Sequence, residues 1–501
     1  MNARERLFRS LFSCIFLAQP SILGDMKTSL AENRTAMKKE LPSEDILSFR
    51  FHTGSGIECE LFYADGIVDK ELMGTLVINP LLRYRGDAEE KALFEALAFP
   101  ELKCVKSEQE AVSAILEGNP VLFADGVSSG FVLGTKKVPQ RAVTEPQTEL
   151  VVKGPRAGFI EELKTNMGQV RLRFKTPNLR FETLQIGKQS KTSVAVCYLS
   201  GIASKKVVQE VKKRISAAEI DAVPDSSYVS RFLCPGRPSL FKQVNTTEKP
   251  DIFCARIAEG RVGILVDGSP VALTVPYLIV EEFQSPEDYF VNPYRATFLR
   301  LLRIGVLLLA IFLPALYVAA QLFKMQLIPL SLLLTIASSI QGLPLSPSLE
   351  VFVTLMVLEI LNEASIRMPK YVGLALSVVG ALVLGETAVN AGILSTPAVI
   401  LIAFSGIGLY TVPELIETTS LLRLITLFVA GSVGIYGIVL FALFLVIYLV
   451  GEERYGSPIL APFAPIVGND LKDSLVKFSM KQLKERPRAI GSANRTRLKE
   501  E

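Results

Sequence analysis

Apolar positions along this chain fall into two regimes. From Met26 to about Phe290 they come in short runs, some alternating and some continuous, broken by Gly, Pro, Asp and Ser. From Phe298 to Val450 they merge into long stretches, with only 12 charged side chains in 153 residues. The first regime predicts a soluble α/β region, and the second an all-α multi-pass transmembrane domain. The expected divisions are an extra N-terminal segment 1–25, α/β subdomains at 26–150 and 151–290, a transmembrane domain at 291–451 and a basic tail at 452–501.

Within the soluble regime, Glu58–Ala64 reads as a strand, and Asp69 caps a predicted helix that continues to Leu82. Ser107 caps a second helix that Gly118 ends, with Glu110 at the capping-box position. A new unit opens near Gly154, where Pro155 suits a first helical position, and its helix is expected to reach Phe174. Strands are predicted at Leu179–Ile186 and Ser193–Leu199, a basic helix at Lys205–Ala218, and a loop at Cys234–Lys249. A strand ending in Asp-Gly occurs at Phe62–Gly66, Leu122–Gly126 and Leu265–Gly268. Asp-Gly supplies the positive φ angles of hairpin turns, and that reading is preferred here to a site built of three carboxylates.

In the second regime, spans are predicted at about Ile304–Phe323, Tyr371–Ile393, Pro397–Val412 and Leu424–Val450. Two further apolar pieces, Leu327–Leu343 and Leu349–Ile366, either cross or lie re-entrant at the interface, which gives four to six spans. The segment Pro369–Ile393 stands apart. Gly373, Ser377, Ala381 and Gly385 recur every fourth residue, a strip that lets helix backbones approach closely. Glu386 and Asn390 form a polar stripe beside it. Intramembrane ionisable groups face protein or water, so the stripe is either a buried hydrogen-bonded pair or part of a pore lining, with Ser377 and Thr387 offering further oxygens. Glu359, Glu363 and Arg367 are spaced to pair along one helix face. They mark either a solvated interfacial face or a vestibule or gating element.

Charge sets the orientation. Arg295, Arg300 and Arg303 precede the first span and predict a cytosolic soluble half. Asp470–Lys499 carries nine Lys and Arg against three acids, as expected of a tail against an anionic cytoplasmic leaflet. The chain's net charge of +4 gives no ground for a nucleic-acid partner. Arg4, Arg6 and Arg9 before an apolar run read either as a signal-like segment or as a start placed too far upstream of Met26. The six cysteines are scattered without a Cys-x-x-Cys pair and read as reduced core residues. His52 is the only histidine, which disfavours histidine-based catalysis and histidine metal sites. With no Trp, an aromatic belt falls to Tyr317, Tyr371, Tyr410 and Tyr448. No catalytic set, metal site or cofactor motif is seen. Gly154 precedes a predicted helix, but Pro155 removes a donor and no phosphate-loop pattern follows, so packing or a subunit contact is expected there.

Several blocks together carry a family resemblance. They are EPQTELVVKGPRAGF (Glu145–Phe159), KTSVAVCYLSGIA (Lys191–Ala203), SPEDYF…FLRLLR (Ser285–Arg303), LEILNEASIRMPKYVGLALSVVGALVLGETAVNAGI (Leu358–Ile393) and SPILAPFAPI…DLKDSL (Ser457–Leu475). The chain resembles the A subunit of the GerA family of spore germinant receptors. That resemblance implies a protein of the bacterial spore inner membrane, with the soluble half and the C-terminus on the core side. It implies a homo-oligomer that assembles with a transporter-like B subunit and a lipoprotein C subunit, and a nutrient-gated channel for monovalent cations. On this reading Ser377, Glu386, Thr387 and Asn390 line the pore, and Gly373, Ala381 and Gly385 form the packing strip. The chain departs from the family pattern at Ile340-Gln341, where Arg-Glu is usual, and at Asn362, where Arg is usual. Two alternatives stand beside the channel: a secondary transporter, disfavoured by the lack of inverted repeats, and a non-conducting signalling scaffold.

Overall fold

Two five-stranded antiparallel sheets of the same strand order form the N-terminal half of the computed structural model. The structure describes residues 24–97, 99, 101–137, 154–234, 236, 239–367, 380 and 383–497. The first repeat runs α1 (Leu30–Glu40), β1 (Ile46–His52), β2 (Glu58–Ala64), α2 (Glu90–Leu97), β3 (Leu102–Val105), α3 (Glu108–Glu117), β4 (Val121–Ala124) and β5 (Gly130–Leu133). A helical stretch from Lys70 to Arg83, with a π turn at Gly74–Ile78, lies between β2 and α2. The second repeat runs α4 (Leu163–Arg173), β6 (Leu179–Ile186), β7 (Thr192–Leu199), α5 (Lys205–Ser216), α6 (Ser226–Leu233), β8 (Asn245–Thr247), α7 (Pro250–Ala258), β9 (Val262–Val266) and β10 (Ala272–Val275). The orders are β1-β2-β4-β5-β3 and β6-β7-β9-β10-β8. Strands β4, β5, β9 and β10 are buried at every position because helices cover both faces of each sheet. This is why these strands read as continuous apolar runs.

The likeness of the repeats extends to single atoms. Leu30 N–H donates to Asp125 Oδ1 at 3.1 Å, and Leu163 N–H to Asp267 Oδ1 at 3.2 Å. Asn33 Oδ1 accepts from Lys27 N–H at 2.9 Å, and Asn166 Oδ1 from Ile160 N–H at 2.9 Å. Each first helix, whose own cap residue makes no capping bond to the helix backbone, is thus capped by the aspartate of a distant Asp-Gly hairpin. Two of the three Asp-Gly pairs are the expected hairpin turns. The third, Asp65-Gly66, is instead a strand-to-helix turn: β2 pairs with β4, and Asp69 caps Lys70–Met73 through Glu71 N–H and Leu72 N–H.

Asp65-Gly66 is also where the repeats join. Gly66 has φ +83°, and a Cβ there would stand 2.3 Å from Lys164 O. A Cβ on Gly168 would meet Gly66 O at 2.7 Å. Both glycines are needed for α4 to lie this close to the turn. Asp65 pairs with Lys164 at 3.1 Å, and buried Asp45 with buried Arg171 at 2.7 Å. The matching turn of the second repeat, Ser200-Gly201, is exposed with open space above Gly201. The matching position of α1 is exposed Thr35. The outer turn therefore lacks the aspartate, and the outer helix the glycine, that fasten the middle of the pair.

Several expectations are corrected. Pro155 does not start a helix; α4 begins at Leu163, after an extended segment whose Phe159 N–H donates to Glu248 O. The predicted loop Cys234–Lys249 holds strand β8. Cys59, Cys197 and Cys254 are buried free thiols, and burial pushes Cys59 and Cys254 up to about 12. Cys14 lies outside the described residues.

The C-terminal half is helical: α8 (Pro293–Phe323), α9 (Leu330–Ile340), α10 (Pro347–Arg367), α11 (Thr396–Leu409), α12 (Ile416–Val433) and α13 (Ile435–Gly451). Among the described residues, two stretches are long and apolar enough to cross a membrane, Pro293–Phe323 and Pro413–Val433. Helices α9, α11 and α13 are apolar but shorter. The single span expected at Leu424–Val450 is two helices folded back on each other at Gly434. Its φ of +70° suits glycine, and a Cβ would stand 2.8 Å from the Phe323 ring. Both outer ends of this hairpin return to the soluble half: Thr418 Oγ1 donates to Leu240 O at 2.7 Å, and Tyr448 OH to Ser239 Oγ at 2.9 Å. The tail packs on the second repeat through Ala493 N–H to Ile202 O at 2.8 Å and Arg486 Nε–H to Ala258 O at 2.8 Å.

Candidate functional site: buried polar groups across the helical bundle

Polar side chains in an apolar bundle are informative because desolvation makes them costly unless they are partnered. The first group sits where α8 leaves the soluble half. Arg300, fully buried, donates to Asp288 Oδ2 at 3.0 Å, to Asp473 O at 2.7 Å and to Ser474 O at 3.1 Å. Arg303 donates through two nitrogens to both oxygens of Asp288, at 2.9 Å each. Asp473 also accepts from Tyr289 OH at 3.1 Å and pairs with Lys477 at 2.9 Å. The arginines read as positive-inside markers are thus engaged by protein, as is Lys477 of the tail; Arg295 remains exposed. The network ties the last turns before the bundle, the first helix and the tail into one joint.

The second group crosses the bundle. Arg423 on α12 is fully buried and donates to Glu359 Oε1 of α10 at 2.5 Å and to Ser405 Oγ of α11 at 2.9 Å. Ser405 Oγ–H in turn donates to Ala310 O of α8 at 2.7 Å. Ser420 also donates to Glu359 at 2.8 Å. One salt bridge and one hydroxyl thereby join four helices. Asn362, one turn further along α10, accepts from Tyr410 OH at 2.9 Å. Sequence reading missed Arg423 because its carboxylate partner lies 64 residues away.

The third group lies where α8 ends and α10 and α11 begin. Glu350 is fully buried and accepts from Ser395 N–H at the start of α11. Buried Tyr317, expected in an aromatic belt, shares a buried cluster with Val351 and Ala398 beside this carboxylate, and Gln321 lies one turn along α8.

The residues singled out in the sequence separate. Glu359 turns inward to Arg423, whereas Glu363 and Arg367 pair with each other on an exposed face. Glu386, Thr387 and Asn390 are exposed, the first two in a π turn, Val383–Thr387, and the third in Ala388–Asn390. Gly385 is exposed with open space at its Cβ position. Gly380 packs on Leu361 of α10, where a Cβ would stand 2.8 Å from the side chain. Gly373, Ser377, Ala381 and Tyr371 lie outside the described residues. Among the described residues no group of three His, Cys, Asp or Glu side chains could hold a metal ion.

The family model described as "Bacillus/Clostridium GerA spore germination protein" matches residues 34–489. The chain is 33% identical to "Spore germination protein KA" of Bacillus subtilis (strain 168), over 94% of this chain and 88% of that one. It is 31% identical to "Spore germination protein GerLA" of Bacillus cereus, over 95% and 98%. It is also 34% identical to "Uncharacterized membrane protein YfkQ" of Bacillus subtilis (strain 168), over 99% and 97%. Among solved structures, the N-terminal domain of the A subunit of the Bacillus megaterium spore germinant receptor GerK3 matches at 26% identity, over 51% of this chain and 98% of that one, with a TM-score of 0.40. These relatives are named for spore germination or for a membrane location, and none for a catalysed reaction. By the extent of the family match and the identity to its relatives, the chain belongs to the GerA family of spore germination proteins, the A subunits of spore germinant receptors.

Proposed function

We propose that this chain is the channel-forming A subunit of a nutrient-responsive germinant receptor. It oligomerises in the spore inner membrane and conducts monovalent cations when germination is triggered. The observation that carries this reading is the exposure of Glu386, Thr387 and Asn390 on a bundle whose outer surface is otherwise largely apolar, including Leu308 and Leu309 of α8 and Val439, Leu440 and Phe444 of α13. Such apolar faces suit lipid or neighbouring subunits. A carboxylate on them does not, since facing hydrocarbon costs about 2.5–3.5 kcal/mol near mid-membrane. Copies arranged about an axis resolve the conflict by turning Glu386 toward a shared aqueous path, where an acidic ring attracts cations. The soluble repeats and the tail then lie on the core side with the joint at Arg300. Nutrient sensing falls to a transporter-like B subunit, alongside a lipoprotein C subunit, and ligand there shifts the population toward an open arrangement.

The test is ion flux through the reconstituted receptor in liposomes. Glu386→Gln is expected to lower monovalent-cation flux or alter its selectivity while assembly is unchanged. Unchanged conductance in Glu386→Gln removes that residue from the pore. Absence of flux under every stimulus, with assembly intact, overturns the channel and leaves a signalling scaffold.

A further inference from the structure

We infer that Glu350, Gln321 and Tyr317 form a binding site for a small monovalent cation inside each subunit's bundle, separate from the shared path proposed for Glu386. Glu350 has no exposed surface, and none of the ion pairs among the described residues includes it. One of its oxygens accepts from Ser395 N–H, while Oε2 has no hydrogen-bond partner among the described residues. Gln321, 5% exposed, has both side-chain amide atoms unpartnered there, and Tyr317, 8% exposed, its hydroxyl. These side chains lie together: Tyr317 shares one buried cluster with Val351, the chain neighbour of Glu350, and with Ala398, Gln321 stands one turn along α8, and Ser395 N–H donates to Glu350. Unpaired polar atoms are normally few in a folded interior. Here several of them gather around one carboxylate, contributed by α8 and α10 beside the start of α11.

The donor chemistry selects the ligand. A carboxylate oxygen, an amide oxygen and a phenol oxygen are hard donors, which suit hard cations and not thiophilic metals. Only one of them is charged, so one positive charge neutralises the site. Calcium and magnesium sites draw on more oxygen ligands or several retained waters. The Ser395 N–H takes the second carboxylate oxygen and so fixes the direction in which Oε2 points. A cation held there would tie the far ends of α8 and α10 to the start of α11, and so stiffen the bundle end away from the soluble half. The inference does not depend on conduction, because binding within a single subunit is read without flux.

The experiment is thermal unfolding of the full-length protein in detergent, followed by circular dichroism at matched ionic strength in sodium, potassium or N-methyl-D-glucamine chloride. Binding to the folded state alone raises Tm with the logarithm of cation concentration above Kd. Sodium or potassium is expected to raise Tm relative to the organic cation, and the effect to vanish in Glu350→Gln, whose amide oxygen still accepts from Ser395 N–H. Tyr317→Phe removes one oxygen ligand and is expected to raise the half-maximal cation concentration by about tenfold, the scale of one bond to a charged group. It also serves as the probe if Glu350→Gln does not fold. Equal Tm in all three salts overturns the proposal, leaving bound water or a protonated Glu350 to occupy the space. A cation-specific rise that persists undiminished in both Glu350→Gln and Tyr317→Phe overturns it as well, since the ion then binds elsewhere. In the proposed channel, unchanged flux with a lost Tm response separates the failure of this site from the failure of the pore.

Discussion

The joint between the two α/β repeats gives the most quantitative test of the fold. Arg171 and Asp45 are buried, at 1% and 2% exposure, and come from different repeats. Arg171 donates to both Asp45 oxygens at 2.7 Å, to Thr176 O at 3.1 Å, to Leu179 O at 3.3 Å and to Ser43 Oγ at 3.2 Å. Removing one member of a buried pair strands the other's charge, a loss of about 3–5 kcal/mol. For a unit of this size each kcal/mol moves Tm by about 2–4 °C, so Asp45→Ala is expected to lower the melting temperature of the soluble half by roughly 6–20 °C. Asp45→Leu with Arg171→Met leaves no buried charge, and apolar replacement of a whole buried pair is often close to neutral. The double variant should therefore recover much of the loss, short of wild type because the carbonyls of Thr176 and Leu179 lose a donor. Far-UV circular dichroism of the full chain is the assay, since the chain has no Trp to report by fluorescence. A shift under about 2 °C for Asp45→Ala, or losses that simply add in the double variant, would refute the argument that this pair fastens the repeats.

Further outcomes follow from other parts of the molecule. Gly434→Ala places a Cβ against the Phe323 ring at a positive φ, so the α12–α13 hairpin should lose about 1–3 kcal/mol, read as a lower yield of folded protein and a lower Tm; wild-type behaviour would mean that the reversal tolerates other backbone conformations. At Glu60, burial works to raise the carboxyl pKa, but hydrogen bonds from Arg34, Ser48 and Arg50 outweigh it and hold the group below its usual range. Its stabilising contribution is therefore present above the ordinary carboxylate pKa of about 4.3 and is lost as pH falls through the lower folded value. Glu60→Gln should accordingly lower Tm at neutral pH, with the gap to wild type closing in acid. A gap that stays constant down to pH 3 would assign the effect to packing.

The hydrophobic pattern alone determined a good part of the molecule. Strand β6 was legible to the residue from the local sequence, and the Asp69 and Ser107 caps from their side chains, because these features depend on neighbours a few positions apart. The family was legible as well, since its blocks are contiguous stretches of chain. Distance in sequence hid the rest. Asp125 and Asp267 looked like turn residues and proved also to be helix caps, for helices that start 95 and 104 residues away. Asp65-Gly66 shares their dipeptide but is a seat for α4, because what decides its role is the helix that packs on it. Gly434 hid inside a stretch uniform enough to pass for one span, and only the contacts of both hairpin ends with Ser239 and Leu240 reveal the reversal. Glu359 looked like part of a surface stripe until Arg423 was brought to it, and Tyr317 like a belt residue until Glu350 and Gln321 were found beside it. Periodicity tells which face of a helix is apolar. Which polar groups meet in the interior is a property of the packed bundle, where desolvation makes a buried polar group costly unless it is partnered.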